Sequence, residues 1–337
     1  MLLSLFCGAG GLDLGFEQAG FEVGLAFDRN AQSVSSYNLN RADRTHGFVR
    51  DVTTLTPARL DKIADGSFNP TGLIGGPPCQ SFSQANVNQS DNDPRHVMPL
   101  AYARLLRSLN RRHPVDFFVF ENVVGLTAAR HQSTLEQTKK RLERAGFNIN
   151  QQILNACDFG TPQTRPRLFI VGYNTERFGS LKWKPPAPLQ TKVPTVRDAI
   201  EALPQPTYFS RGIKPEDISF HPNHWCMMPK SPKFFRKEGL KEGLRKGRSF
   251  KTLTWDTPSM TVAYGHREVH VHPNGRRRLS VYEAMKLQGF PNEYVLFGTL
   301  SSQITQVSEA VPPPMAKAIA LSIYSQLYAA QAGKKAA

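Results

Sequence analysis

The chain has 337 residues, of which 40% are hydrophobic and 20% are charged, so it is long enough to bury a full core and is typical of a globular protein. The apolar start at residues 1–6 lacks a basic leader and runs directly into glycines, which argues against a signal peptide or a membrane span. The four cysteines include no CxxC pair. We therefore expect a reducing compartment and a cytoplasmic location.

The formal net charge of +15 favours a polyanionic partner, and nucleic acid is the commonest such partner. This charge is unevenly distributed along the chain. Residues 205–280 contain 15 Lys and Arg against 6 Asp and Glu, a net charge of +9. The sequence therefore predicts a positive surface that is confined to one region.

From the start to about Tyr173, short apolar runs alternate with amphipathic stretches, which predicts βα units around a parallel sheet. The predicted strands are 2–6, 23–27, 48–49, 72–74, 117–120 and 168–171, and the predicted helices are 12–19, 31–40, 100–111 and 133–145. After Asn174 a proline-rich linker leads into a basic, aromatic-rich segment, and helices return at 279–288 and 313–330. This pattern indicates an α/β fold with a small separate basic lobe, which we define as residues 205–273.

Residues that can carry chemistry follow the ends of five predicted strands. A glycine-rich turn, Phe6-Cys7-Gly8-Ala9-Gly10-Gly11, follows the first strand, and Asp28 and Asp51 end the second and third. Cys79 follows the fourth strand, and Glu121 closes the fifth. Because the carboxyl ends of parallel strands meet at one edge of a sheet, we expect these groups to lie together in a ligand site.

Two prolines precede Cys79 in Gly75-Gly76-Pro77-Pro78-Cys79 and restrict the backbone that presents its thiol. No histidine base accompanies this thiol, which argues against acyl transfer. Addition of a thiolate to an electron-poor ring requires an acid on the far side of the ring, and a buried Glu121 with a raised pKa could serve. Arg165 and Arg167 precede the last core strand on one predicted face and could bind an anion or a polarised carbonyl, although a pair of surface salt bridges is the simpler alternative.

These motifs, in this order, resemble those of the DNA cytosine-C5 methyltransferases of restriction-modification systems. The resemblance covers most of the chain outside the basic lobe and includes Pro77-Pro78-Cys79-Gln80, Glu121-Asn122-Val123, Gln163-x-Arg165-x-Arg167, Leu287-Gln288-Gly289-Phe290-Pro291 and Ala310-Val311-Pro312-Pro313. It implies a Rossmann-like S-adenosylmethionine-dependent methyltransferase sheet with helices on both faces and a small basic target-recognition lobe. The implied division is 1–175 for the cofactor-binding and catalytic domain, 176–273 for the linker and target-recognition region, and 274–337 for a segment that returns to the catalytic domain.

The resemblance also implies roles for individual residues. Cys79 would add to C6 of a cytosine that is flipped out of duplex DNA, Glu121 would engage N3 and the exocyclic amine, and Arg167, supported by Arg165, would hold O2. The cofactor would be S-adenosylmethionine, contacted by Phe6, Gly8, Ala9, Gly10, Gly11, Asp28, Asp51, Val52 and Pro78. Expected DNA contacts are Ser81, Ser83 and Gln84 in the loop after the nucleophile, and Lys230, Lys233, Arg236, Lys237 and Arg248 in the basic lobe.

Several expectations limit the partners. The histidines of His221-x-x-His224-x-Cys226 invite a metal interpretation, but a structural zinc site needs four well-spaced ligands, so we expect no metal. We expect a monomer that works beside a restriction endonuclease and contacts no membrane. Three positions depart from the family pattern, namely Asn86, Tyr282 and Glu309, and none of them removes a catalytic group.

Two other functions remain open at this point. Some members of this fold act on transfer RNA, although they typically carry proline where this chain has Ser81. A DNA-binding protein without catalysis is the second alternative, and the presence of Cys79, Glu121, Arg165 and Arg167 argues against it. The sequence does not give the recognition site on DNA.

Overall fold

The structure is a computed structural model that describes residues 1–41, 46–78, 97–244, 250–261 and 270–336. Its main sheet contains the strands β1 (Leu2–Leu5), β2 (Val23–Asp28), β3 (Gly47–Val49), β4 (Gly72–Gly75), β5 (Phe117–Val123), β6 (Phe147–Asn155) and β7 (Pro166–Asn174). The spatial order is β3, β2, β1, β4, β5, β7, β6. The first five strands pair in parallel, and β7 lies antiparallel between β5 and β6.

The central strands are continuous apolar runs because both faces of the sheet are covered. All four residues of β1 are buried, and so are Phe117–Phe120 of β5. Buried parallel strands are expected to show such runs in place of alternation. The helices are α1 (Gly11–Gln18), α2 (Ala31–Leu39), α3 (Pro57–Ala64), α4 (Val97–Arg112), α5 (Gln132–Arg144), α6 (Thr175–Phe178), α7 (Val196–Ile200), α8 (Val281–Leu287), α9 (Leu300–Glu309) and α10 (Pro313–Ala336).

Two apolar cores lie on opposite faces of the sheet. One joins α1 and α10 to the sheet, and its buried members include Phe16, Phe117 and Ile319. The other joins α3, α4 and α5 to the sheet through residues such as Leu60, Leu106, Leu142 and Phe118. The predicted α/β sheet with helices on both faces is therefore confirmed.

All the predicted strands and helices occur in the structure, but the sequence missed several further elements. The six predicted strands and the six predicted helices are present with shifted ends, and α5 stops just before Gly146, whose φ is +100°. The sequence did not predict β6 or the helices α3, α6, α7 and α9. Glu121 was expected to close a strand, but β5 continues for two residues beyond it, as far as Val123.

The basic lobe contains only short regular elements in its described part. These are the strands β8 (Thr207–Tyr208), β9 (Trp225–Cys226), β10 (Lys251–Thr252) and β11 (His270–Val271), together with short 3-10 helices at Pro215–Asp217 and Pro232–Phe235. Phe234, Leu240 and Val271 form a small buried cluster, whereas the neighbouring Phe235 is 68% exposed. In the described part of the chain, no helix is both long and apolar enough to cross a membrane.

The contact between α1 and α10 generates the first prediction. A Cβ added to Gly15 would lie 2.5 Å from the backbone nitrogen of Lys317 and 2.6 Å from the carbonyl oxygen of Pro313. These atoms are backbone and cannot move aside cheaply. We expect Gly15→Ala to lower the free energy of unfolding by about 1–3 kcal/mol, measured by urea denaturation.

Gly66→Ala is the matched control, because a Cβ added there would meet no atom within 4 Å. We expect the control to leave stability unchanged or to raise it by a few tenths of a kcal/mol, since alanine restricts the unfolded chain. Equal effects of the two substitutions would contradict the packing argument.

Candidate active site

The carboxyl edge of the parallel strands gathers the residues that the sequence singled out. The turn 6–11 follows β1, Asp28 is the last residue of β2, Asp51 follows β3, and Pro78 follows β4. Glu121 lies near the carboxyl end of β5. Cys79, Ser81, Ser83, Gln84 and Arg248 lie outside the described residues.

The turn after β1 has a backbone that most side chains cannot adopt. Phe6, Gly8 and Gly10 have φ values of +57°, +54° and +86°. A Cβ on Gly8 would meet no atom within 4 Å, whereas a Cβ on Gly10 would lie 2.9 Å from atoms of Tyr37 and Arg41. The two glycines thus differ in purpose. Gly8 leaves open space beside the turn, and Gly10 allows the turn to pack closely against Tyr37 and Arg41.

The carboxylate of Asp28 holds the turn in place through a hydrogen bond to its backbone. This carboxylate accepts the backbone N–H of Gly8 at 3.0 Å and that of Asn30 at 2.8 Å. Burial raises the pKa of this carboxyl group, and these backbone donors oppose the shift. One bond to each oxygen leaves further lone pairs that hydroxyl groups of a ligand can use. Asp51 is exposed and accepts the N–H of Thr53 at 2.8 Å, while Val52 beside it is buried.

A buried polar cluster beneath the turn was not predicted. Asp13 is fully buried and accepts bonds from Ser4 Oγ at 2.8 Å and from the Tyr37 hydroxyl at 2.9 Å. Burial raises the pKa of Asp13 to about 6, and the nearby Arg41 opposes the shift. Arg41 lies 3.8 Å from the centre of the Tyr37 ring and forms a two-bond ion pair with Glu17. In the sequence Asp13 looks like an ordinary acid in the first turn of a helix, so nothing marks it as buried.

Glu121 and Arg167 form an ion pair at the carboxyl edge. The carboxylate is 9% exposed, and its Oε1 lies 3.1 Å from Nε of Arg167. Antiparallel register places Val123 opposite Arg167, so Glu121 is the diagonal neighbour of Arg167 on the same face of the sheet. A Cβ on Gly76 would lie 2.6 Å from Oε2 of Glu121, so only glycine admits the carboxylate there. Burial raises the pKa of Glu121, and the cations of Arg167 and Arg165 pull it in the opposite direction.

Arg165 makes different contacts from Arg167. Its guanidinium is 1% exposed, and Nη2 donates to the carbonyl oxygens of Ser308 at 2.6 Å and Ala310 at 2.9 Å. Gln288 donates to the same Ala310 carbonyl at 2.6 Å and accepts a bond from Gln163. Arg165 therefore connects the start of β7 to the segment between α9 and α10. That segment in turn abuts the glycine turn, because a Cβ on Gly11 would lie 2.4 Å from the carbonyl oxygen of Val311.

The cations expected to contact DNA in the basic lobe are exposed. Lys230, Lys233, Arg236 and Lys237 all lie at the surface. The guanidinium of Arg276 donates to the carbonyl oxygens of Arg236 at 2.6 Å and Lys237 at 2.7 Å, which fixes the backbone that carries these side chains.

His221 and His224 of the basic lobe are engaged in contacts with other residues of the protein. The His221 ring stacks on Tyr282 with 4.1 Å between centroids, and His224 bonds to Ser280 Oγ at 3.0 Å and to the Pro204 carbonyl at 2.8 Å. Among the described residues, no three His, Cys, Asp or Glu side chains are grouped so that they could hold a metal ion. Tyr282, one of the three positions that depart from the family pattern, therefore packs against His221 of the basic lobe.

The strand order, with β7 antiparallel beside β5, defines the class of protein as the Rossmann-like S-adenosylmethionine-dependent methyltransferases. The crystal structure of an E. coli prophage protein described as a DNA modification methyltransferase has this fold, with a TM-score of 0.78, 22% identity and coverage of 97% of this chain and 99% of that one. The chain belongs to the family described as C-5 cytosine-specific DNA methylase, whose model matches residues 1–325.

Curated relatives agree with this assignment over nearly the full length of the chain. Type II methyltransferase M.MthTI of Methanothermobacter thermautotrophicus is 31% identical, over 97% of this chain and 97% of the relative. Type II methyltransferase M.NmeDI of Neisseria meningitidis serogroup C is also 31% identical, over 97% of this chain and 84% of the relative. The chain is thus a cytosine-C5 DNA methyltransferase.

The contacts of Arg165 generate the second prediction. Arg165→Met keeps much of the buried volume but removes the donor to the Ser308 carbonyl, and an unsatisfied buried carbonyl costs about 1–3 kcal/mol. We expect a loss of this size in the free energy of unfolding, measured in urea.

Arg197→Met is the control, because the guanidinium of Arg197 is 40% exposed and pairs with the exposed Asp256 and Glu201. Such surface pairs contribute about 1 kcal/mol or less. A small effect of the same size in both variants would show that Arg165 does not hold the 308–310 segment.

Proposed function

We propose that the carboxyl edge of the sheet is the catalytic centre, with Cys79 as nucleophile and Glu121 as acid, acting on a cytosine flipped out of duplex DNA. The observation that carries the proposal is the buried Glu121–Arg167 pair beside the end of β4. Gly75 pairs with Phe120, and the side chain of Asn122 donates to the carbonyl oxygen of Pro77 at 3.2 Å. The backbone that leads to Cys79 therefore lies next to the acid.

The chemistry follows from these positions. The Cys79 thiolate adds to C6 of the ring, which breaks the C5–C6 double bond, while Glu121 gives a proton or a hydrogen bond to N3. The electron pair at C5 becomes nucleophilic and forms the new carbon–carbon bond. Loss of the C5 proton then restores the double bond as the bond between C6 and the Cys79 sulfur breaks. S-adenosylmethionine would supply the methyl group, its bond between sulfur and the methyl carbon would break, and S-adenosylhomocysteine would leave.

Arg167 has two effects on this site in our proposal. Its guanidinium can bind O2 of the cytosine, which stabilises negative charge that develops on the ring. It also orients the Glu121 carboxyl group, because Nε of the guanidinium lies 3.1 Å from Oε1 of Glu121. Burial keeps the acid form available, because the charge of Arg167 opposes the upward pKa shift without reversing it.

Arg165 acts on the cofactor side. Its bonds to the carbonyl oxygens of Ser308 and Ala310 hold the segment that packs on Gly11. We therefore assign Arg165 a positioning role that links the base pocket to the cofactor turn.

The cofactor would be held at Phe6, Gly8, Ala9, Gly10, Gly11, Asp28, Asp51, Val52 and Pro78. The open space at Gly8 and the unused lone pairs of the Asp28 carboxylate support this assignment, since a ribose offers hydroxyl donors at such a position. Asp51 and Val52 would contact the adenine from the neighbouring strand end.

The basic lobe would bind the DNA backbone through Lys230, Lys233, Arg236, Lys237 and Arg248, and Ser81, Ser83 and Gln84 would approach the DNA from the loop after Cys79. We propose the division 1–175 for the cofactor-binding and catalytic domain, 176–273 for a linker followed by the target-recognition region, and 274–337 for the segment that returns to the catalytic domain. The names of the relatives support a partnership with a restriction endonuclease, in which a monomeric enzyme protects the DNA of a prokaryotic cytoplasm.

The third prediction concerns pH. Because burial raises the pKa of Glu121, its acid form persists to higher pH than in a free carboxyl group, and activity should fall as pH rises through that pKa. Glu121→Gln cannot transfer a proton, so we expect kcat to fall by about 10²–10⁴-fold and this alkaline decline to disappear. The measurement is kcat against pH with saturating DNA and cofactor.

Glu176→Gln is its control, because Glu176 is exposed and follows β7 at the opposite edge of the sheet. It should keep the wild-type profile. An alkaline decline that survives in Glu121→Gln would assign the titration to another group.

The fourth prediction tests the nucleophile and the substrate together. The protein is incubated with labelled S-adenosylmethionine and either duplex DNA or transfer RNA, and 5-methylcytosine is located by sequencing. We expect label in DNA alone, and we expect Cys79→Ser to abolish transfer because a hydroxyl group is a far weaker nucleophile than a thiolate.

Cys157→Ser is the matched control for this variant, because Cys157 is half-buried, follows β6 and is not part of the proposed site. It should transfer at the wild-type rate. Transfer to RNA alone would reject the proposed substrate, and full activity of Cys79→Ser would reject the proposed nucleophile.

A further inference from the structure

Two segments carry the net positive charge of the chain, and the first, residues 205–280, contains the basic lobe and the three arginines that follow it. The formal net charge is +15, and residues 205–280 account for +9 of it. Helices α4 and α5 contain eight Lys and Arg against two Glu, a net charge of +6. These two parts supply the whole net charge, so the remainder of the chain is electrically neutral.

The cations of the two helices face solvent. Arg104, Arg107 and Arg111 are exposed at spacings of three and four residues, which places them in one stripe along α4. The sixteen residues of α4 include no Asp or Glu. Lys140, Arg141 and Arg144 are exposed on α5, which packs beside α4. We call these six side chains the cationic helix face.

Ion pairs in the described structure involve other cations of the same helices. Arg112 pairs with Asp61, and Lys139 pairs with Glu136. Within the described ranges, the six members of the cationic helix face make no ion pair. Arg104 donates to the carbonyl oxygen of Thr53 at 2.6 Å, which leaves its charge uncompensated.

This arrangement costs the helices stability. Like charges three or four residues apart on one helix face repel each other and destabilise the helix. Cations in a last turn are favourable with the helix dipole, which accounts for Arg111, Arg141 and Arg144. It does not account for Arg104 or Arg107 in the middle of α4. A surface needed only for solubility would mix both signs.

The cationic helix face begins at the rim of the active site. Helix α4 starts at Val97, soon after the segment that contains Cys79. Arg104 contacts Thr53, which follows Asp51 and Val52 at the carboxyl end of β3. Arg104 and Arg141 line one cleft together with Thr53 and Leu100. The positive stripe thus continues from the edge where the target base must enter, on the side formed by α4 and α5.

We propose that the cationic helix face binds the phosphate backbone of duplex DNA that flanks the target site. It is a second DNA contact, separate from the basic lobe, and it supplies affinity without reading sequence. The proposal presupposes that the enzyme acts on duplex DNA.

The test is the triple variant Arg107→Gln, Arg111→Gln and Lys140→Gln, which removes three exposed charges and leaves Arg104 on Thr53. Binding is measured against salt concentration with two duplexes that contain the mapped methylation site, one of about 12 and one of about 40 base pairs. For the long duplex we expect the slope of log K against log salt to become shallower by about 0.9 for each phosphate that the variant no longer neutralises. The short duplex should be bound as tightly as by the wild type.

The matched control replaces three exposed lysines elsewhere, Lys182→Gln, Lys184→Gln and Lys192→Gln, which changes the net charge equally. It should leave both slopes close to the wild type. An equal reduction in the control would show a general charge effect, and equal reductions on both duplexes would place the binding surface within the target site. Either result, or unchanged slopes in the triple variant, overturns the proposal.

Methylation of the short duplex by the triple variant separates this proposal from the proposed catalytic site. Wild-type methylation with unchanged salt slopes would reject only the second DNA surface. Absence of methylation by the wild-type protein itself would reject the catalytic assignment.

Discussion

The close contact between α1 and the C-terminal segment determines the geometry of the site. Gly11 and Gly15 have no side chain where Val311, Pro313 and α10 approach, and a Cβ at either position would overlap with backbone atoms. The buried guanidinium of Arg165 holds the same segment from the other side. The end of the chain therefore supports the turn at its beginning. A change at residues 308–311 should affect the proposed cofactor pocket although these residues lie far from the glycines in the sequence.

The sequence predicted those parts of the molecule that depend on local patterns. Continuous apolar runs revealed the buried strands, and motif residues at their ends revealed the shared edge. Strand β6 was missed because FNINQQILN is largely polar, and it lies at an edge of the sheet with one partner. Helices α3 and α9 did carry a signal, since Thr56 and Thr299 cap them through side-chain bonds. The Glu121–Arg167 pair could not be derived, because it depends on the antiparallel register of β5 and β7.

The acid of the candidate site illustrates how a fold sets a pKa. Burial destabilises the charged form of Glu121, and Arg167 stabilises it. Burial has the larger effect, and the space left by the missing side chain of Gly76, just after β4, is where the carboxylate lies. A larger residue there would push the carboxylate outward and lower its pKa. The absence of a side chain at Gly76 therefore helps to keep the pKa of Glu121 raised.

Charge has two distinct uses in this protein. Just after the basic lobe in the chain, Arg277 and Glu283 form an ion pair with two hydrogen bonds, and each side chain is at most 3% exposed. The Glu283 carboxylate also accepts the N–H of Ser280, which caps α8. A buried pair of this kind contributes little net stability but fixes one arrangement, because any other would leave a buried charge alone. The exposed cations of the lobe thus project from a fixed base, and those of α4 and α5 project from rigid helices. In our proposal, long-range attraction to these two surfaces orients DNA before any base is read, because two separated positive surfaces define a direction and a single one does not.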